Sequence, residues 1–406
     1  MDSKSSLCQS SVIVNIPSSK SLSNRWLIIN YLLGNTLCLN DLSTADDTRL
    51  LQLLLKQLEE KSSNVFDCKN AGTVARFLTA LLSMQSDGEY ILTGDCRMCQ
   101  RPIKPLVDAL LHIGADVSYL DKLGYLPLKI KEKKYTTDVV RVSGSVSSQF
   151  ISALMLIAIS LPNGLKIIID DKCVSQSYIF MTMTILKQLG VGVQWKNKEI
   201  TIEKAKPFLK SKYVEIEKDW SSGAYFYNWV LFSDDFQVFI SGLYKDSVQG
   251  DSLVADIYDA LGVETIYTEN GIFLRKKNVL LPKVFKYDFS SCPDLVLTVA
   301  VACVGIGVDA EFLGLDTLPY KETNRIEALE TELKKMNIDV FVHANVLYIK
   351  SVGNLCPTLP VATYNDHRMA MSFASLKMIN KDLFIENPDV VVKSFPEYWE
   401  EVKKFL

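Results

Sequence analysis

Four times along the chain, apolar positions recur in steps of three and four and then change to simple alternation. Residues 105–119, 181–195, 252–267 and 326–342 each read as an amphipathic helix, a stop and a strand. The first period matches one face of a helix and the second one face of a pleated strand. The stops are Gly114, Gly190, Gly262 and Asn337, spaced 76, 72 and 75 residues apart. Gly and Asn suit that position because the residue after a helix often turns left-handed. Residues 48–61 and 396–406 read as weaker copies, and alternating runs at 11–16, 90–93, 139–142, 166–169, 199–203, 238–241 and 346–349 predict further strands. A period near 75 residues exceeds the ~20–50 of a solenoid unit. It fits a compact subdomain used several times over, in an α/β or α+β protein of two lobes with three units each.

Composition narrows the chemistry. The 406 residues are 48% hydrophobic, enough for full-sized cores without disulfide or metal staples. Forty-four Lys and Arg against forty-seven Asp and Glu leave a charge of −3, which argues against a nucleic-acid binder. Nine scattered cysteines, Cys8 and Cys356 among them, read as reduced thiols of a cytoplasmic protein, and Cys96-Arg97-Met98-Cys99 lacks the second pair a zinc site needs. Three distant histidines, His112, His343 and His367, argue against a histidine metal site. The N-terminal residues 1–11 are polar and Ser-rich, unlike a signal peptide. The longest apolar run, 295–308, falls short of the ~18–20 residues of a membrane span and predicts a buried helix.

Cations stand repeatedly where a strand gives way to a helix. SSKSLSNR (18–25) places Lys20, Ser21 and Arg25 there; NAGT (70–73) is followed by Arg76; QRPI (100–103) sets Arg101 before a helix with Pro102 at an early position. SGSVSSQF (143–150) offers more hydrogen-bonding side chains than one helix cap needs. KETNRI (321–326), TYNDHRMAM (363–371) and KSFP (393–396) repeat the theme. Helix N-termini and guanidinium groups both favour anions. If the repeats fold alike, these junctions converge on one cleft. Each segment taken alone is equally a solvated helix start, and Asn70 and Thr73 are equally candidate caps.

These segments, with VSQSY (174–178), DWSSGAYF (219–226), PDL (293–295) and the continuation KSFPEYW (393–399), resemble in order the 5-enolpyruvylshikimate-3-phosphate synthase family of enolpyruvyl transferases. The resemblance spans residues 18–399 and implies two lobes of βαβαββ-like units of the inverted α/β barrel type, residues 1–17 with 218–406 against 18–217, and an active site in the cleft between them. It implies transfer of the enolpyruvyl group of phosphoenolpyruvate to the 5-hydroxyl of shikimate 3-phosphate in chorismate biosynthesis, in a monomer with no metal, cofactor, nucleic-acid or membrane partner. It assigns Lys20, Asn70, Gly72, Arg101, Gln149, Arg325, Arg368 and Lys393 to phosphoenolpyruvate. Lys20, Ser21, Arg25, Ser147, Ser148, Gln149, Ser175, Tyr178, Asp294 and Lys321 fall to shikimate 3-phosphate. Asp294 is the expected base for the 5-hydroxyl, and Glu322, with Lys20 competing, the expected proton carrier at the enolpyruvyl carbon. A Glu acting as an acid near neutral pH needs a raised pKa.

The chain departs from the family pattern at Phe77 (usually Pro), Cys99, Gln176, Asn324 (usually Asp) and 317–319. Two alternatives are the related transferase acting on UDP-N-acetylglucosamine, which lacks TYNDHRMAM and SVSSQF, and a non-catalytic protein that kept the fold.

Overall fold

The computed structural model describes residues 10–85, 88–131, 135–204, 212–234, 236–350 and 360–406. Cys8, Cys356 and the first nine residues of the polar N-terminus lie outside them. The chain opens with β1 (Ser10–Val14), α1 (Lys20–Leu32), β2 (Cys38–Asn40) and α2 (Asp46–Glu60). A complete module follows: β3 (Val65–Asp67), α3 (Gly72–Leu82), β4 (Glu89–Thr93), α4 (Lys104–His112), β5 (Asp116–Tyr119) and β6 (Leu128–Lys131). The next repeats it with β7 (Val139–Val142), α5 (Ser148–Ala158), β8 (Gly164–Ile169), α6 (Gln176–Gln188), β9 (Val193–Lys196) and β10 (Glu199–Glu203). After β11 (Tyr213–Glu215) come α7 (Trp220–Leu231), β12 (Phe236–Ser241), α8 (Val254–Leu261), β13 (Val263–Thr268) and β14 (Gly271–Lys276). The last full module is β15 (Val284–Asp288), α9 (Val296–Gly305), β16 (Asp309–Leu313), α10 (Arg325–Lys335), β17 (Asp339–His343) and β18 (Val346–Lys350), followed by α11 (His367–Ala374) and α12 (Tyr398–Val402).

One strand order recurs. β3-β4-β6-β5, β7-β8-β10-β9 and β15-β16-β18-β17 each join a parallel pair, bridged by a helix, to an antiparallel hairpin. A parallel pair needs such a crossover, whereas an antiparallel pair needs only a turn. The fourth sheet, β1-β12-β14-β13, takes its first strand from the N-terminus, while β11 pairs with β2 instead. Two first strands have therefore changed places, and the chain crosses between the lobes at two adjacent points. Those crossings are tied to each other: Ser19 N–H donates to Glu217 O at 2.8 Å and Asp219 N–H to Pro17 O at 2.9 Å.

Two hydrophobic cores result. One gathers Val14, Ile16 and apolar residues from Trp220 to Phe405, and the other those from Leu22 to Ile216. The run expected to be a buried helix is α9, whose residues Val296–Val304 are all buried; a helix apolar on every side belongs in a core. Each of its buried Val or Leu side chains contributes about 1.5–3 kcal/mol relative to exposure.

All four predicted stops take positive φ: Gly114 105°, Gly190 74°, Gly262 107° and Asn337 61°. Two local readings need correction. Pro102 is not in the helix: α4 starts at Lys104 with Pro105 in its first turn, because a 3₁₀ turn, Met98–Gln100, intervenes and Arg101 is its extended exit. Neither Asn70 nor Thr73 caps α3, whose N-cap is Ala71 with no side-chain bond. Residues 48–61 do form a helix, but the strand after it, β3, pairs with β4 in the next sheet.

A Gly190→Ala substitution is expected to cost about 1–2 kcal/mol, the penalty of a Cβ in left-handed backbone. Asn337→Gly should change stability by less than about 0.5 kcal/mol, since both residues accept that conformation. Urea titrations of both variants check this; equal losses would contradict the shared role of the two positions.

Candidate active site

The strand-to-helix junctions converge as the repeat required. The start of α1 brings Lys20 and Ser21, with Arg25 one turn further in; that of α3 brings Gly72 and Thr73, with Arg76 one turn in; that of α5 brings Ser148 and Gln149, with Ser147 before it. Ser175, left-handed at φ 52°, precedes α6 and its Tyr178. From the other core come Asp294, the turn Thr317–Glu322, Arg325 at the start of α10, and His367 and Arg368 at the start of α11. All line one cleft. Of the residues expected in it, only Asn70 and Lys393 are not part of the wall. They meet beside it, where Lys393 Nζ donates to Asn70 O at 2.6 Å and lies 3.5 Å from Asp47 and 3.9 Å from Glu322.

The Ser-rich segment divides its labour. Ser143 Oγ and Gly144 N–H both donate to Asp171, at 2.6 and 2.7 Å, which pins the loop. Ser147 Oγ accepts from Gln149 N–H at 3.2 Å and caps α5. Ser148 and Gln149 are left facing the cleft.

Arg325 organises the carboxylates. Its buried guanidinium donates to Asp294 Oδ1 at 2.8 Å, Glu322 Oε2 at 3.0 Å and Asp366 Oδ2 at 2.8 Å. Asp294 also accepts from Tyr178 at 2.7 Å and Arg368 at 3.0 Å, and pairs with Lys321 at 3.1 Å. Burial alone would push Asp294 up; Arg368, Lys321 and Arg325 outweigh it and hold it well below the usual carboxylate range. Burial is likewise overcome at Glu322, by Arg325, Arg101 and Lys393, so this carboxyl is also held well below its usual range. The cations around Glu322 thus act against the raised pKa that an acid role calls for. Lys20, bonded to Asp47 at 3.0 Å, is lowered by burial but raised further by Asp47 and Glu322, so it carries its proton.

The opposite wall is short of anions. Arg25 donates to Thr182 Oγ1, Ser21 O, Ser152 Oγ and Tyr178 O. Arg76 reaches Gly72 O, Met98 Sδ and Pro102 O. Arg101 reaches Tyr320 O and Asn70 O. None of the three is ion-paired among the described residues, and burial lowers Arg25 to about 10. Unpaired buried guanidinium groups attract anionic ligands strongly, because the surrounding dielectric is low. Gly72 lets Arg101 lie against the backbone: a Cβ there would stand 2.6 Å from Nη2.

Several participants were not read from the sequence. Asp47 looks like any acidic residue in a first helical turn, yet it holds Lys20 and faces Lys393. Asp366 stands in the TYNDHRMAM motif, but its place as the third partner of Arg325 is a product of the fold. Thr317 Oγ1 and both ring nitrogens of His367 are buried in the wall without hydrogen-bond partners. Asp251, buried and bonded to Ser221, carried no local signal. Burial, then the charge of Asp294, raises it to about 6 against Arg368 and Ser221.

Fold and site together define an α/β protein of two lobes with a cleft for small polyanions and ionised carboxylates between the cations. The family model described as EPSP synthase (3-phosphoshikimate 1-carboxyvinyltransferase) matches residues 54–402. Relatives named 3-phosphoshikimate 1-carboxyvinyltransferase include one from Bacteroides fragilis, 38% identical with 96% of this chain and 94% of its own length covered. Another, from Actinobacillus pleuropneumoniae, is 33% identical with 96% and 95% covered. The solved EPSP synthase of Acinetobacter baumannii shares the fold, with a TM-score of 0.74 at 17% identity over 98% of this chain and 96% of that one. The chain belongs to the EPSP synthase family.

Asp251 sets up a pH test. A raised folded-state pKa contributes stability below the unfolded value, and that stability is lost as pH rises through about 6. Asp251→Asn keeps a neutral side chain at every pH. Its melting temperature relative to wild type should rise between roughly pH 4 and pH 6 and then level off. A difference independent of pH would show that Asp251 ionises freely.

Proposed function

We propose that this chain transfers the 1-carboxyvinyl group of phosphoenolpyruvate to the 5-hydroxyl of shikimate 3-phosphate, releasing phosphate. The observation that carries this reading is Arg325 holding Asp294 and Glu322 together beneath a wall of unpaired arginines. Shikimate 3-phosphate lies against Lys20, Ser21, Arg25, Ser147, Ser148, Gln149, Ser175 and Tyr178 of the 18–217 lobe. Asp294 and Lys321 meet its hydroxyls from the other lobe. Phosphoenolpyruvate occupies Lys20, Arg101, Arg325, Arg368 and Lys393, with Asn70, Gly72 and Gln149 beside it. The lobe division at 1–17 with 218–406 against 18–217 is supported by the two separate cores.

The chemistry follows from the charges. Asp294, ionised, accepts the 5-hydroxyl proton as that oxygen bonds to C2 of phosphoenolpyruvate. C3 takes a proton in the same addition. In the elimination C3 gives up a proton and the C2–O bond to phosphate breaks. Lys20 already holds a proton. Glu322 gains one only when the cations holding it down turn to the carboxylate and phosphate of the substrate, because a neighbouring anion raises a carboxyl pKa. Binding should therefore draw a proton from solvent. The cleft wall is built from both halves of one chain, which supports a monomer. Free thiols at the described cysteines, Cys38 and Cys96 exposed among them, support a cytoplasmic setting.

Phosphate release from phosphoenolpyruvate should require shikimate 3-phosphate, should not occur with UDP-N-acetylglucosamine, and should fall by at least about 10²-fold in Asp294→Ala. Absence of release with shikimate 3-phosphate would sink the reading. Gly72→Ala should displace Arg101 and raise KM for phosphoenolpyruvate on the order of tenfold, the loss of about one charge-assisted hydrogen bond. An unchanged KM in that variant would remove Arg101 from the phosphoenolpyruvate site.

A further inference from the structure

Arg97 lies in the turn between β4 and α4, outside the cleft wall, and no chemical role is assigned to it above. Its guanidinium nevertheless reaches the other lobe. Nε donates to Glu322 O at 3.0 Å, and Nη2 donates to Lys321 O at 2.9 Å and Pro319 O at 3.3 Å. Four residues along the same turn, Arg101 Nε donates to Tyr320 O at 3.1 Å. Four consecutive carbonyls, 319 to 322, thus each receive a hydrogen bond from an arginine rooted in the opposite core.

Within its own lobe this segment is held by side chains, Lys321 on Asp294 and Glu322 on Arg325, while its backbone bonds only to itself. Leu318 is its buried anchor, Tyr320 is 47% exposed, and Asn324 Oδ1, at the helix start beyond it, is buried without a partner. Its backbone bonds are local, from Leu318 N–H to Leu315 O, Tyr320 N–H to Thr317 O and Lys321 N–H to Leu318 O. Separating the lobes removes all four arginine bonds at once, and with them the external reference for the backbone carrying Lys321 and Glu322.

We infer that Arg97 is a positioning residue which places Lys321 and Glu322 only when the lobes are closed. The inference rests on the proposed enolpyruvyl transfer. It separates two events. Shikimate 3-phosphate is held mostly by residues of the 18–217 lobe and meets only Asp294 and Lys321 from the other, so loss of Arg97 weakens its binding far less than it slows turnover. Proton transfer at the enolpyruvyl carbon requires closure and depends on it. A lysine is a poor replacement, because a single ammonium lacks the planar fork that spans separated carbonyls.

The test compares wild type, Arg97→Ala and Arg97→Lys in steady-state turnover. It is paired with calorimetric binding of shikimate 3-phosphate alone and with thermal melting. Displacement of a catalytic group by about 1 Å can cost on the order of 10²-fold in rate, so kcat should fall by about 10- to 10²-fold in both variants. Affinity for shikimate 3-phosphate alone should fall by no more than about threefold, the share of Lys321, and the melting temperature should stay near wild type. Unchanged kcat in Arg97→Ala overturns the inference. So does a parallel loss of kcat, affinity and melting temperature, which marks a merely structural arginine. Full recovery in Arg97→Lys also overturns it, since charge without fork geometry would then suffice. A wild-type protein that turns over neither substrate pair fails one level lower, at the proposed reaction itself.

Discussion

Everything in the cleft depends on keeping Arg325 buried and charged. Its guanidinium is almost fully enclosed and spends its donors on three carboxylates, Asp294, Glu322 and Asp366. Burying such a cation is tolerable only when its partners are fixed in good geometry. Asp366 supplies a permanent partner at the rear, bonded also to the N–H of Arg368 at the start of α11. Asp294 and Glu322 face the cleft. The site is therefore internally neutralised, and in the proposed reaction an incoming polyanion competes with the protein's own carboxylates for the same cations. In that proposal the competition connects substrate binding to protonation, because releasing Glu322 from Arg325, Arg101 and Lys393 frees it to take up a proton.

The asymmetry between the walls has the same origin. On one side, cations are matched by carboxylates; on the other, Arg25, Arg76 and Arg101 rest on hydroxyls, carbonyls and a thioether. Neutral partners orient a guanidinium without cancelling its charge. The overall charge of −3 conceals this arrangement because the compensating carboxylates lie elsewhere in the fold.

Much of the fold was legible because it is periodic. The four helix–stop–strand segments fell on α4–β5, α6–β9, α8–β13 and α10–β17, and their stops on left-handed backbone. The exchange of β1 and β11 was not legible, since either strand satisfies the same alternation and only tertiary pairing chooses between them. Site residues at helix starts were legible from motif chemistry, as with Lys20, Ser148 and Arg368. Asp47 and Asp251 were not, because their partners are distant in sequence and their surroundings look like ordinary helix turns. Arg97 was passed over for a related reason. It binds backbone carbonyls, which leave no mark on the residues that bear them.

The strand exchange has a consequence for biosynthesis. β1 leaves the ribosome long before its partner: Val12 pairs with Val238, so the edge it must join does not yet exist. At the usual ~5–20 residues per second, about 10–45 s pass before β12 emerges. During that interval the intervening lobe can assemble most of its core, yet its β2 also waits for β11. Neither lobe is completed by a contiguous stretch of chain. The two close their sheets almost together, once the second crossing at Glu217–Asp219 has been made, so the nascent protein carries two open sheet edges through most of its synthesis.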